Sequence, residues 1–120
     1  MVSKRELGEK GESLAVHYLA KLGYKIVDRN WYYGHKELDI VAKDGDMMVI
    51  VEVKSTTGLR FNHPSEAVTK QKINHIIDAA DAYILEKEIE NETRFDVITI
   101  IFWDNKFELE HFKDAFYPTM

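Results

Sequence analysis

The chain has 120 residues, 45% of them hydrophobic and 31% charged, with a net charge of −5. That suits one globular domain with a single core and excludes a disordered or low-complexity protein. There is no cysteine, which excludes disulfides, zinc–thiolate centres and cysteine nucleophiles. No apolar run approaches the roughly 18 residues of a membrane helix, and the opening Met-Val-Ser-Lys-Arg-Glu lacks an apolar signal core. A soluble, cytoplasmic protein with no membrane partner is expected.

Ser3-x-x-Glu6 reads as a capping box that opens a helix. Leu7, Leu14, Ala15, Tyr18, Leu19 and Leu22 give that helix an apolar stripe, and Gly23 stops it. Gly8 and Gly11 each cost roughly 1 kcal/mol relative to alanine inside a helix, a cost best explained by another backbone or a ligand approaching closely there. A first strand follows from Tyr24 to Val27 and continues towards Trp31 and Tyr33.

Asp44-Gly45 is the strongest turn signal, set between two strand-like runs. If those two residues form the loop, Asp39 faces Ile50 and Glu37 faces Glu52, with Asp39 and Glu52 diagonal neighbours roughly 7–8 Å apart at the backbone. Residues 55–63 then read as a polar loop, and Pro64 suits the first position of a helix that runs to about Glu88. Phe95 to Trp103 reads as a strand, and Asp104-Asn105 turns it into a last strand, Lys106 to Phe112. The order α-β-β-β-α-β-β predicts an α/β fold, with a mixed sheet and a crossover through the second long helix.

Two charges interrupt the apolar run Met47-Met48-Val49-Ile50-Val51-Glu52-Val53-Lys54. Side chains alternate along a strand, so Glu52 and Lys54 share a face, and the hairpin register adds Asp39. Charges in a buried strand cost several kcal/mol unless they are paired or bind a metal. Two carboxylates are hard oxygen ligands suited to Mg²⁺ or Mn²⁺, and a lysine beside them can stabilise charge on a phosphate. The plainer reading is a salt-bridged solvent face, but Val41, Met48 and Ile50 on the same face call for burial.

Glu12 lies on or beside the buried stripe of the first helix and needs a partner, which a metal over the sheet would supply. The alternative is a boundary glutamate reaching water or a lysine. Glu37 would oppose Glu52, a destabilising pair unless a cation or a lysine intervenes. Lys72, at the edge of the second helix's apolar stripe, is within reach of a phosphate or the acids, or else is solvated. Arg60, with Phe61 and His63, lies on a loop that would contact a nucleic-acid backbone or simply connect. Asp96 reads as a buried pairing residue, or else as a group that supports the site residues from behind, and the five histidines are too scattered for a metal cluster.

Residues 86–110 hold eight acids and three bases, a balance of −5, which leaves thirteen of each and no net charge elsewhere. A nucleic-acid partner is therefore permitted, and the acidic segment Glu86–Glu92 offers a protein-interaction surface instead.

Gly11-Glu12, Arg29-Asn30, Glu37-Leu38-Asp39-Ile40-Val41 and Val51-Glu52-Val53-Lys54 together resemble the PD-(D/E)XK nuclease superfamily. The closer resemblance is to the small bacterial YraN family of endonuclease-like proteins. Glu66-Ala67-Val68 with Lys72, Arg94-Phe95-Asp96-Val97 and Ala115-Phe116 extend that match over nearly the whole chain. The resemblance implies one domain over residues 1–120, a restriction-endonuclease-like αβββαβ core and Mg²⁺- or Mn²⁺-dependent hydrolysis of phosphodiesters, with DNA as partner. The layout is also similar to archaeal Holliday junction resolvases, which implies branched DNA and a homodimer. It implies a four-residue site of Glu12, Asp39, Glu52 and Lys54. The expected metal ligands are Asp39, Glu52, Glu12 and the Val53 carbonyl, and the positions of Arg60 and Lys72 make them candidate substrate contacts. Thr56 stands where the family often has an arginine.

Overall fold

Ser3 accepts a hydrogen bond from the amide of Glu6 at 3.1 Å and so opens helix α1, Lys4–Lys21. At the other end the amides of Gly23 and Tyr24 reach back to the carbonyls of Ala20 and Leu19, closing the last turn. The computed structural model describes residues 2–58 and 61–118. After α1 come strands β1 (Lys25–Tyr33), β2 (Lys36–Asp44) and β3 (Met47–Thr57), a short helix α2 (Pro64–Ala67), helix α3 (Lys70–Glu86), and strands β4 (Thr93–Trp103) and β5 (Lys106–Phe116).

The five strands form one mixed sheet in the order β1-β2-β3-β4-β5, an α/β fold with the expected element order. Only β3 and β4 run parallel, because the chain crosses over between them through α2 and α3. Helix α1 packs one sheet face with Ala15 and Leu19 against Ile40, Val49, Val51, Ile98 and Ile100. Helix α3 packs the other with Ile76, Ala79, Ala80 and Tyr83 against Val41, Met48, Ile50 and Val97. Strand β3 is therefore covered on both sides, which explains its almost unbroken apolar run.

Several boundaries differ from the sequence expectation. The single helix from Pro64 is two, because Thr69 leaves the helical conformation and caps α3 by accepting from the Lys72 amide at 3.1 Å. Strand β3 continues through Ser55, Thr56 and Thr57, paired with Ile100, Ile101 and Phe102 of β4. Strand β5 runs on to Phe116 past a bulge, where Asp114 takes φ +52° and its amide donates to Asp96 at 3.0 Å.

The β2–β3 loop is Gly45-Asp46 rather than Asp44-Gly45. Asp44 pairs with Met47 and Lys43 with Met48. Gly45 takes φ +61°, the positive value favoured at the first central position of a tight hairpin. Shifting the loop by one residue shifts the register by two. The expected pairings of Asp39 with Ile50 and of Glu37 with Glu52 are therefore wrong. The side-chain period is also two, so Val41 still shares a face with Met48 and Ile50. Alternation breaks between Leu38, packed on the α3 face, and Ile40, packed on the α1 face, so the expectation that Glu37 lies on that same face is wrong.

Candidate functional site

The ladder ends at Ile40 opposite Val51, and just beyond it the Asp39 and Glu52 side chains meet. Both are almost sealed from water, at 6% and 8% exposure. The Val53 amide donates to Asp39 Oδ2 at 2.9 Å, so it is the amide of this residue that touches the pair.

Two adjacent carboxylates in a dry site cannot both ionise cheaply. Burial, then the charge of Glu52, pushes Asp39 up to about 8, against the pull of the Val53 amide. Burial also raises Glu52, partly offset by Lys72. Without a cation, the pair holds a proton between its two acids at neutral pH.

Glu12 comes in from α1. Asn30 Nδ2 donates to Glu12 Oε1 at 2.7 Å and to Glu37 Oε2 at 3.0 Å. Asn30 sits at φ +49°, a left-handed conformation that asparagine tolerates better than most residues. Burial raises the pKa of Glu12, with Asp39 and Glu37 adding repulsion and the Asn30 bond opposing them. Glu37 thus meets an amide instead of opposing Glu52. A cleft of about 450 Å³, lined by Glu12, Arg29, Asn30, Tyr32 and Glu37, opens here.

Lys72 on α3 lies 3.7 Å from Glu52 Oε2. It reaches the acids, as one reading of the sequence allowed. Lys54 is exposed, and among the described residues it makes no hydrogen bond or ion pair. The lysine that touches the buried acids is therefore Lys72. Arg60 lies outside the described residues. Asp96 is fully buried and ties three groups together. Arg94 grips it through Nε and a terminal nitrogen at 2.8 and 2.9 Å, His111 Nε2 lies 2.7 Å away, and the Asp114 amide completes the set. This is the pairing role expected.

Sequence reasoning missed Asn30 as the bridge between two acids and His111 as a partner of Asp96. The motif Arg29-Asn30 was visible, but a positive φ in mid-strand leaves no mark on the apolar pattern.

Among the described residues, no three His, Cys, Asp or Glu side chains converge as a ready-made metal cage. The donor set still fits a hard divalent cation. Mg²⁺ is commonly held by one or two carboxylates and keeps several waters, and two buried acids sharing a proton present that arrangement.

A family model described as uncharacterised protein family UPF0102 matches residues 11–100. A UPF0102 protein of Bacteroides thetaiotaomicron is 47% identical over 120 residues, covering 100% of this chain and 99% of its own. Others from Phocaeicola vulgatus (42% identical) and Flavobacterium psychrophilum (38% identical) each cover 98% of both chains. No helix among the described residues is long and apolar enough to cross a membrane. With its motifs, its element order and these relatives in agreement, the chain belongs to the UPF0102 (YraN) family.

Proposed function

We propose that this protein is a divalent-metal-dependent nuclease that hydrolyses phosphodiester bonds in nucleic acid, branched DNA being the substrate its family resemblance favours. One observation carries the reading. Asp39 and Glu52 are buried side by side, and burial with the charge of Glu52 holds Asp39 protonated at neutral pH. That arrangement works against stability and becomes sensible when a cation replaces the shared proton.

Asp39 and Glu52 would hold Mg²⁺ or Mn²⁺, with Glu12 at the margin. When bound, such an ion polarises a phosphoryl oxygen and lowers the pKa of a water. The Val53 amide fixes the rotamer of Asp39. Asn30 holds Glu12 and Glu37 apart from the pair, where Glu12 can take a proton from water or orient it. Lys72 offsets the charge of Glu52. Lys54, exposed and without a partner among the described residues, can meet a phosphate and stabilise charge developing there.

The test is cleavage of duplex and branched DNA with Mn²⁺, comparing wild type with Glu52→Ala and Lys54→Ala. Loss of cleavage in both variants is expected; equal activity in all three removes the assignment. A second reading is a nucleic-acid-binding module that does not cut; among the described residues, no third His, Cys, Asp or Glu converges on the pair. Calorimetric titration with Mn²⁺ separates the two, since a non-cutting module would show no binding in the low-millimolar range.

A further inference from the structure

A second candidate site lies at the far end of the strand that carries Glu52. Strand β3 runs on to Thr57, about 17 Å further at about 3.3 Å per residue. There Thr57 joins the start of α1 and the β4–β5 turn around a cavity of about 430 Å³. The lining includes Lys4, Lys10 and Lys106, with Phe102, Trp103 and Phe107. Asp104 is the one acid among the lining residues, in a chain whose net charge is −5.

All three lysines are exposed, and among the described residues none of them has a carboxylate partner. Lys36, Lys72 and Lys87 are each paired with an acid. Lys10 lies over the Phe102 ring, 5.2 Å from its centroid. Phe107 stands beside Phe102 at 6.3 Å. Phe107 and Trp103 leave 49% and 42% of their surface to solvent, an unusual exposure for rings with an apolar core available next to them.

Exposed flat rings ringed by unpaired cations match the alternation of base and phosphate along a single strand. Bases stack on aromatic faces irrespective of sequence, while lysines track the backbone. An acidic peptide would satisfy the lysines but leave the rings unused. We propose that this cavity binds an unpaired segment of a nucleic-acid strand, with a base against Phe107 and Trp103 and phosphate between Lys4, Lys10 and Lys106. The ligand class rests on the nucleic-acid reading above, but the site does not depend on the acidic pair.

The experiment is fluorescence anisotropy of a labelled oligo(dT) of about a dozen nucleotides, in EDTA, at about 50 and about 200 mM salt. Wild type should bind, and affinity should fall with salt. Phe107→Ala should weaken binding by about 5- to 150-fold, the range for loss of one stacked base. Replacing Lys4, Lys10 and Lys106 together by alanine should reduce the salt slope by about 2, at about 0.7 per phosphate released. Lys10→Arg should bind like wild type. Every variant should melt at the wild-type temperature and keep any stabilisation that Mn²⁺ gives the wild type, since none touches the acidic pair. Wild-type affinity in the Phe107→Ala and triple-lysine variants overturns the proposal. So does equal displacement of the oligonucleotide by an oligo-glutamate peptide, or binding confined to duplex. A failure here with Mn²⁺ stabilisation intact removes this cavity and leaves the metal site standing; the reverse result removes the metal site alone.

Discussion

Replacing Glu52 by glutamine should make the metal-free protein more stable at alkaline pH and less stable at acid pH. Asp39 has its pKa raised from 3.8 to about 8, which corresponds to about 6 kcal/mol at about 1.4 kcal/mol per pH unit. A group raised in the folded state contributes stability below its unfolded value and loses it as pH climbs to the folded value. Here that loss runs from about pH 4 to about pH 8. Burial is the largest cause and survives the substitution, whereas the charge of Glu52 comes second and is removed. Removing one close like charge at an effective dielectric near 20 is worth on the order of 2 kcal/mol, so glutamine returns about that much at pH 9. Loss of the partly exposed Lys72 contact takes back less than about 1 kcal/mol. A net gain of about 1 kcal/mol raises the melting temperature by about 4 °C in a domain of this size. At pH 5 the sign reverses, because the proton on Asp39 loses its charged acceptor, a bond worth about 1–3 kcal/mol. The assay is thermal unfolding in EDTA from pH 5 to 9, repeated with Mn²⁺. Saturating Mn²⁺ at a hundred times its dissociation constant should add about 2.7 kcal/mol to the wild type and almost nothing to the variant. A stability difference of one sign across the whole range would refute the shared-proton argument. Equal Mn²⁺ stabilisation of both proteins would refute the ligand assignment.

Asp96→Asn should cost about 3–5 kcal/mol at pH 7, since Arg94 and its neighbours then face a neutral amide in a buried site; denaturant unfolding checks this, and a loss under 1 kcal/mol would mean the network is solvated. Gly11→Ala should destabilise by about 1–3 kcal/mol despite better helix propensity, because the added methyl runs into Ser55. Ser55→Gly in the same chain should recover part of that loss, and a Gly11→Ala protein as stable as wild type would show that the helix simply shifts. Lys72→Ala should change stability by less than about 1 kcal/mol and tighten Mn²⁺ binding about 2- to 10-fold by removing a like charge from its rim. Unchanged or weaker Mn²⁺ binding on titration would place Lys72 outside the ion's field.

The fold was legible because β3 is buried on both faces and α1 is bounded by residues that announce themselves, Ser3 and Gly23. The contact of Asp39 with Glu52 was legible for a narrower reason. A hairpin loop misplaced by one residue moves the register by two, so parity holds from the loop back to Ile40 opposite Val51 while the opposed partners change, and it fails beyond, where Leu38 and Ile40 pack on opposite faces. What the sequence could not convey was everything set by a departure from regular geometry. Asn30 bridges Glu12 and Glu37 only because it takes a positive φ in mid-strand. Asp114 reaches Asp96 only because of a bulge near the end of β5. Lys72 reaches Glu52 from a helix whose start is fixed by Thr69, not Pro64. The close approach at Gly11 could be anticipated as a cost, but its cause, Ser55, lay in what read as a loop and is strand.

Two aspartates of the same sheet, almost equally buried, argue the distinction between support and function. Burial pushes Asp96 up, but hydrogen bonds from His111, Arg94 and the Asp114 amide outweigh it and hold its pKa below the ordinary value. Asp39 has one amide donor and an acid for a neighbour, and its pKa is raised. Asp96 therefore contributes stability above about pH 4 and loses it only as acid protonates it, whereas Asp39 loses stability as pH rises through the neutral range. A fold able to surround one carboxylate with three donors could have done so for the other, or placed a leucine there. Asp39 and Glu52 remain acids facing each other, with Lys72 at the edge and Glu12 held back by Asn30. That pattern is expected where stability has been given up for a charge that arrives from outside.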